Sequence, residues 1–208
     1  MALVTAVLVL VVAGCGDDDD DDEARDRTTT SSSSTSTTTT STVPTTAPAD
    51  EQGGTPIGTP TTDVVATDPF PGNGPVALLD DVRLAGHDGF DRLVFQFRGP
   101  LSGYRVGYVQ GPVREDGSGE PVDIEGEAFL EVVMAPASGV DLSGGAEPVE
   151  VYTGPDRVRS GDTELVTEVV RTGDFEATLS WGVGLRRQVP FGVAVLTGPD
   201  RLVIDFVP

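Results

Sequence analysis

The sequence predicts an all-β fold: an antiparallel β-sandwich of about eight short strands, preceded by a disordered tether. Three observations carry this expectation. First, Phe175, Ala177, Leu179, Trp181 and Val183 occupy alternate positions, and a period of two is the signature of a half-buried strand. Second, similar short runs recur between clusters of Gly, Pro and Asp, at the spacing of a sandwich or barrel. Third, no segment carries a long i, i+3, i+4 apolar stripe, so no amphipathic helix is expected.

The elements follow in chain order. Residues 2–12 are continuously apolar or small and end in Val12-Ala13-Gly14-Cys15. A membrane-spanning helix needs about 20 apolar residues, so this shorter run reads as an export signal. A branched aliphatic residue, two small residues and a cysteine resemble the lipobox of bacterial lipoproteins position by position. The resemblance implies that residues 1–14 are a signal peptide. It also implies that Cys15 carries a diacylglycerol thioether and palmitate-type chains, anchoring the protein to the outer face of the cell membrane. Two acyl chains make a durable anchor where one holds weakly. No Lys or Arg precedes the apolar run, which points to a translation start upstream of Met1.

Residues 15–75 read as the lipidated cysteine and its tether. Asp17–Asp22 form an unbroken acidic block, followed by a Ser/Thr run over residues 28–42 and a Pro/Thr/Gly-rich stretch to Pro75. Nothing here has an apolar period, so no core is expected. The aspartate block lacks the spaced ligands and turn glycine of a calcium loop and reads as solvated charge. About sixty flexible residues give an r.m.s. reach of roughly 40–45 Å, which suits a domain held off the membrane. The Ser/Thr run is a candidate for O-glycosylation.

Residues 76–208 read as the folded domain. Strands are expected over residues 76–84, 92–98, 104–110, 128–134, 149–153, 165–171, 175–183, 191–195 and 201–206. Between them lie a Gly86-His87-Asp88-Gly89 corner, an acidic Gly-rich loop over 115–120, a loose stretch over 135–148, and turns at Gly154-Pro155, Thr172-Gly173-Asp174 and Thr197-Gly198-Pro199-Asp200. One pattern occurs twice: Gly89 to Phe97 and Gly198 to Phe206 both read G-x-D-R-L-V-x-x-F.

Charge excludes several function classes. The domain holds 22 acidic residues against 11 Arg, the tether 12 against 2, and the chain has a formal net charge of −21 with no Lys. Such a chain is no general nucleic-acid binder, and it has no polybasic patch for anionic lipid. One Cys and one His allow no intrachain disulfide and no thiolate metal site, and no cofactor is called for.

Candidate binding residues are few. Arg92 and Arg201 follow Asp91 and Asp200 in the repeated pattern. They read either as turn chemistry, with the stem covering apolar surface, or as a ligand-facing pair; turn chemistry is preferred. Trp181 reads as core first and as an exposed platform second. Tyr104 and Tyr108 are four apart and share a strand face, where tyrosines stack on sugar rings or pack half-buried. Arg186-Arg187 is a local cationic cluster in an acidic domain.

These residues resemble the AMIN-like domain of actinobacterial lipoproteins. The resemblance runs through His87-Asp88-Gly89-Phe90-Asp91-Arg92-Leu93-Val94-Phe95, Tyr104-Arg105-Val106-Gly107-Tyr108-Val109, Gly173-Asp174-Phe175-Glu176, Leu179-Ser180-Trp181-Gly182-Val183-Gly184-Leu185 and Arg201-Leu202-Val203-Ile204-Asp205-Phe206. It covers residues 78–207. The AMIN-like family is more remotely similar to the AMIN domain, a β-sandwich that targets peptidoglycan amidases and secretins to the cell wall. The resemblance therefore implies a sandwich that binds peptidoglycan or another wall glycan, and it carries over no catalytic residue.

The residues themselves contain no hydrolase triad. His87 is the lone histidine and no Gly-x-Ser-x-Gly elbow accompanies it. A glycan hydrolase needs only two carboxylates, which counting cannot address. The leading expectation is a non-catalytic envelope module that binds the wall. The runner-up is an adaptor that positions an envelope protein there, and a small-molecule carrier is less favoured. Scattered or buried positions of Tyr104, Tyr108, Trp181 and the Arg residues, rather than one exposed groove, would leave only the adaptor.

Overall fold

Short apolar alternations separated by turns pair here into two facing sheets. The computed structural model describes residues 54–145 and 147–208. Cys15, the aspartate block and the Ser/Thr run lie outside the described residues.

The strands are β1 (Val65–Ala66), β2 (Ala77–His87), β3 (Phe90–Arg98), β4 (Tyr104–Tyr108), β5 (Ala128–Met134), β6 (Ala137–Ser138), β7 (Val140–Asp141), β8 (Val149–Glu150), β9 (Arg157–Val158), β10 (Val166–Phe175), β11 (Thr178–Leu185), β12 (Phe191–Leu196) and β13 (Asp200–Phe206). Eight of them have five residues or more, as the sequence predicts; the other five are two-residue pairings. One sheet runs β1-β4-β5-β11-β10-β9, the other β12-β13-β3-β2-β6, and β7 and β8 form a separate ribbon. Every pairing between these strands is antiparallel except that of β2 with β6.

The two copies of the repeated pattern lie side by side. β3 and β13 pair antiparallel, with Leu93 opposite Ile204 and Phe95 opposite Leu202. Their inward side chains meet Leu130, Val132, Leu179 and Trp181 of the other sheet in one continuous core. Trp181 is at the centre, with its ring 5.6 Å from Phe95 and 5.7 Å from Tyr152.

The outer face of the six-stranded sheet is covered by the loop between β4 and β5. Val113 and Ile124 of that loop are buried with Val170. Two glycines of β11 permit this approach. A Cβ on Gly182 would meet Ile124 at 2.6 Å, and one on Gly184 would meet the Glu125 carbonyl at 2.0 Å. The alternation Trp181-Gly182-Val183-Gly184-Leu185 is thus large residues inward and absent side chains outward.

The structure corrects two expectations. The hairpin turn expected at Thr172-Gly173-Asp174 lies three residues later, at Glu176-Ala177. β10 continues through Gly173 by a register shift, and Phe175, expected to face inward, is 70% exposed at the tip. Glu176 and Ala177 have φ of 49° and 57°, the pairing of a type I′ turn that normally calls for Asn and Gly. Without those residues the turn gave no signal in the sequence. Left-handed backbone costs a residue with a side chain about 1–2 kcal/mol. Ala177→Gly is therefore expected to stabilise the domain by about 1 kcal/mol, raising the thermal midpoint by about 2–4 °C. A scanning-calorimetry midpoint that stays put or falls would refute this.

The second correction concerns residues 54–75, expected in the tether. They bind both sheets. The Ile57 N–H donates to Asp205 Oδ2 at 2.6 Å, Thr61 and Phe191 exchange backbone bonds, and β1 pairs with β4. Edge strands β12 and β4 present unpaired backbone groups, and this strap satisfies part of both rows. Its few apolar residues have no period, so the order comes from backbone pairing that hydropathy cannot register.

Candidate functional site

The sequence candidates do not meet on one groove. Trp181, Arg92 and Arg201 are buried, so the ligand-facing reading of these three gives way to a structural one. Arg92 lies opposite Asp205 in the β3–β13 pairing. Its Nε and Nη2 donate to the two carboxylate oxygens of Asp205, each at 2.7 Å, and the guanidinium lies 5.0 Å over the Phe90 ring. Arg201 donates from Nε to the Pro199 carbonyl. Tyr104 and Tyr108 share a face with buried Val106 and pack half-buried against the core. The Tyr108 hydroxyl donates to the Val189 carbonyl at 2.7 Å and accepts from its N–H. Burial raises the Tyr108 pKa, with the bond to Val189 opposing that rise. Burial removes Trp181 as a sugar-stacking platform, and the two tyrosines are only partly exposed.

Arg186 and Arg187 alone among the candidates are exposed. They border a recess of about 150 Å³ with His87, Phe90, Glu164 and Leu165. The floor of the recess is packed and hydrogen-bonded. His87 stacks on Phe90, with ring centroids 4.7 Å apart and planes 8° from parallel. Asp91, the first partner in the Asp-Arg pair, is buried beneath it and accepts from the backbone N–H groups of Glu164, Leu165 and Val166 at 3.0, 2.7 and 2.7 Å. That carboxylate ties the loop before β10 to β3 across the two sheets. Arg186 donates from Nε to the Glu164 carbonyl at 3.1 Å, and Arg187 makes no ion pair among the described residues. The result is a small rim of two guanidiniums, an imidazole and the exposed Glu164 carboxylate over a buried Phe90 ring.

A second concavity lies at the other end of β2 and β10. It is a trough of about 790 Å³ between the start of β2, the β7–β8 ribbon and the β10–β11 tip. Val76, Leu142 and Phe175 line it. Sequence reasoning missed it because Phe175 was assigned to the core and Leu142 to a loose stretch. The ten residues of β10 span about 30 Å at 3.3 Å per residue, which is roughly the distance between the two concavities.

Among the described residues three carboxylates are buried, Asp91, Glu168 and Asp205, and all serve in binding the fold together. Burial works against the charge of Glu168, but bonds from Arg157, the Glu125 N–H and Arg159 outweigh it and hold its pKa below the usual carboxylate range. Glu131 differs: burial raises its pKa, the charge of Asp116 adds to this and Arg105 opposes it. A raised carboxyl is what a general acid needs. The recess beside Glu131 has a volume of about 30 Å³, room for water and not for a sugar ring. Among the described residues no group of His, Cys, Asp or Glu is arranged to hold a metal ion.

The AMIN-like domain model matches residues 77–208, more than half of the chain. The chain belongs to the AMIN-like domain family. In this AMIN-like domain the G-x-D-R-L-V strands lie side by side within one sheet, and Asp91, Arg92 and Arg201 of the pattern are buried, while Asp200 is not. The matched region begins at β2, so the strap of residues 54–75, which pairs with part of two sheet edges, lies outside it. No curated protein and no solved structure matches the chain.

Proposed function

We propose that this protein is a non-catalytic lipoprotein of the cell envelope whose AMIN-like domain binds a cell-wall component, peptidoglycan or another wall glycan. Membership of the AMIN-like family over residues 77–208 carries the reading. The Val12-Ala13-Gly14-Cys15 signal supports export and a lipid anchor at Cys15 on the outer face of the membrane. The surface that fits a wall ligand is the recess at Arg186, Arg187, His87 and Phe90. A wall polymer carries carboxylates, and the recess offers two exposed guanidiniums beside the His87 imidazole, which is stacked on a buried Phe90. A domain with 22 acidic residues and 11 Arg repels anionic polymers at long range. Binding must therefore come from short-range contacts at this rim.

The test uses the full chain with Cys15→Ser and purified sacculi. Recovery above an inert acidic control protein is expected. Arg187→Ala, which removes an exposed guanidinium with no structural bond, is expected to weaken binding about tenfold, the loss of one charge-assisted hydrogen bond. Recovery equal to the control sinks the reading. Recovery unchanged by Arg187→Ala moves the wall site elsewhere.

A second reading, an adaptor that places an envelope protein at the wall, is favoured by the failure of the sequence candidates to converge on one groove and by one further observation. The larger of the two end concavities is apolar and open, which is the character of a protein-binding surface.

A further inference from the structure

We infer that the trough at the β10–β11 tip docks a segment of a partner protein that combines large apolar side chains with Lys or Arg. Three observations support this.

Exposed apolar surface is concentrated here. Among the described residues seven large hydrophobic side chains are exposed, and Val76, Leu142 and Phe175 of those seven line this one trough. Leu142 and Phe175 are the two most exposed, each at 70%. A contiguous apolar surface rimmed by polar groups marks an interaction site, whereas scattered apolar residues do not.

The rim has one sign. Every charged residue that lines the trough is acidic: Asp141, Asp174 and Glu176. The trough adjoins a polar recess of about 390 Å³, with which it shares Val140 and Asp174. That recess adds Glu115 and Glu150, while its one cation, Arg171, is held by Asp156 at 2.6 Å. An apolar groove continuous with an acidic pocket is complementary to an apolar side chain followed by a cation.

The tip is held in a strained form. Glu176 and Ala177, at the turn that projects Phe175, both have left-handed backbone. Strain of this kind persists where the surrounding structure over-determines it, and it clusters at ligand clamps.

The same features disfavour other occupants. An anionic bilayer is repelled by the rim. A second copy of the chain brings no Lys and the same acidic excess, so self-association sets like charges together. A basic, apolar peptide segment satisfies both halves of the site.

This proposal deepens the adaptor reading and is independent of wall binding, since the trough and the Arg186–Arg187 recess are at opposite ends of β10. Its test is fluorescence anisotropy on the full chain with Cys15→Ser. The probes are three fluorescein-labelled peptides: one alternating Leu with Arg, one with Glu in place of Arg, and one with Ser in place of Leu. The Leu/Arg peptide is expected to bind saturably and each control about tenfold more weakly. Leu142→Ser with Phe175→Ser is expected to weaken the Leu/Arg peptide about tenfold, and Glu176→Gln to reduce its salt dependence. All three positions are exposed, and an unchanged melting temperature verifies the fold of each variant. Equal binding of the Leu/Arg and Ser/Arg peptides, or full binding to the double variant, overturns the proposal. So does a sedimentation dimer that the double variant dissociates, which assigns the trough to a second copy. Sacculus recovery is measured in parallel. The double variant is expected to leave it unchanged, and Arg187→Ala is expected to leave peptide binding unchanged, so failure of either reading is seen separately.

Discussion

Asp205→Ala is expected to destabilise the domain by about 3–5 kcal/mol, because it strands the buried Arg92 guanidinium without its bidentate partner. Both side chains are at least 97% buried, so water cannot take over the lost bonds. Asp205 also accepts from the Ile57 N–H at 2.6 Å, and its removal releases the strap that crosses to the β4 edge. A domain of this size is expected to lose roughly 6–20 °C of thermal midpoint. The paired replacement Arg92→Met with Asp205→Leu isolates the charge effect. Apolar residues of similar volume in place of a buried ion pair are often neutral, so the double variant is expected to melt well above the single one. If the two melted together, the cost would lie in packing and the clamp reading would be wrong.

Trp181→Ala is the second large effect, expected at about 3–5 kcal/mol by loss of transfer energy and creation of a cavity. The indole is fully buried against Phe95 and Tyr152, which come from two distant segments of chain. Such a site collapses poorly. The indole N–H finds no acceptor among the described residues, so Trp181→Phe loses volume but no hydrogen bond and is expected to cost markedly less. Denaturant unfolding of the three proteins checks both statements. A sugar-stacking tryptophan would behave in the opposite way, with little change in stability and a large loss of sacculus binding from the folded variant.

These two residues show how far sequence reading goes at this site. Trp181 sits in an unmistakable period-two run, and its place in the core was legible from that run. Asp91, Arg92 and Arg201 were legible as parts of a repeated pattern, but not as interior charges, and Asp205, at a variable position of that pattern, gave no signal. Hydropathy assigns an Arg to the surface; only the antiparallel pairing that sets Arg92 against Asp205 makes burial tolerable. Arg186 and Arg187 were legible as a cationic cluster. Their recess was not, because it also needs His87 and Phe90 from a hairpin almost a hundred residues earlier.

The sequence by itself determined the class, the family and the strands. Alternation and turn residues are local properties, and they specify which segments are strands and which faces turn inward. The eight longer strands follow them closely, except at the tip of β10. Tertiary structure decided what lies at the two ends. It moved a turn onto Glu176-Ala177 and so exposed Phe175 beside Leu142. It also drew residues 54–75 out of the tether and onto two sheet edges. Both outcomes depend on backbone pairing between distant segments, which leaves no periodicity in the residues that take part. The surfaces proposed for binding are therefore made by strand ends and connections, where local pattern is weakest and register is set by the rest of the fold.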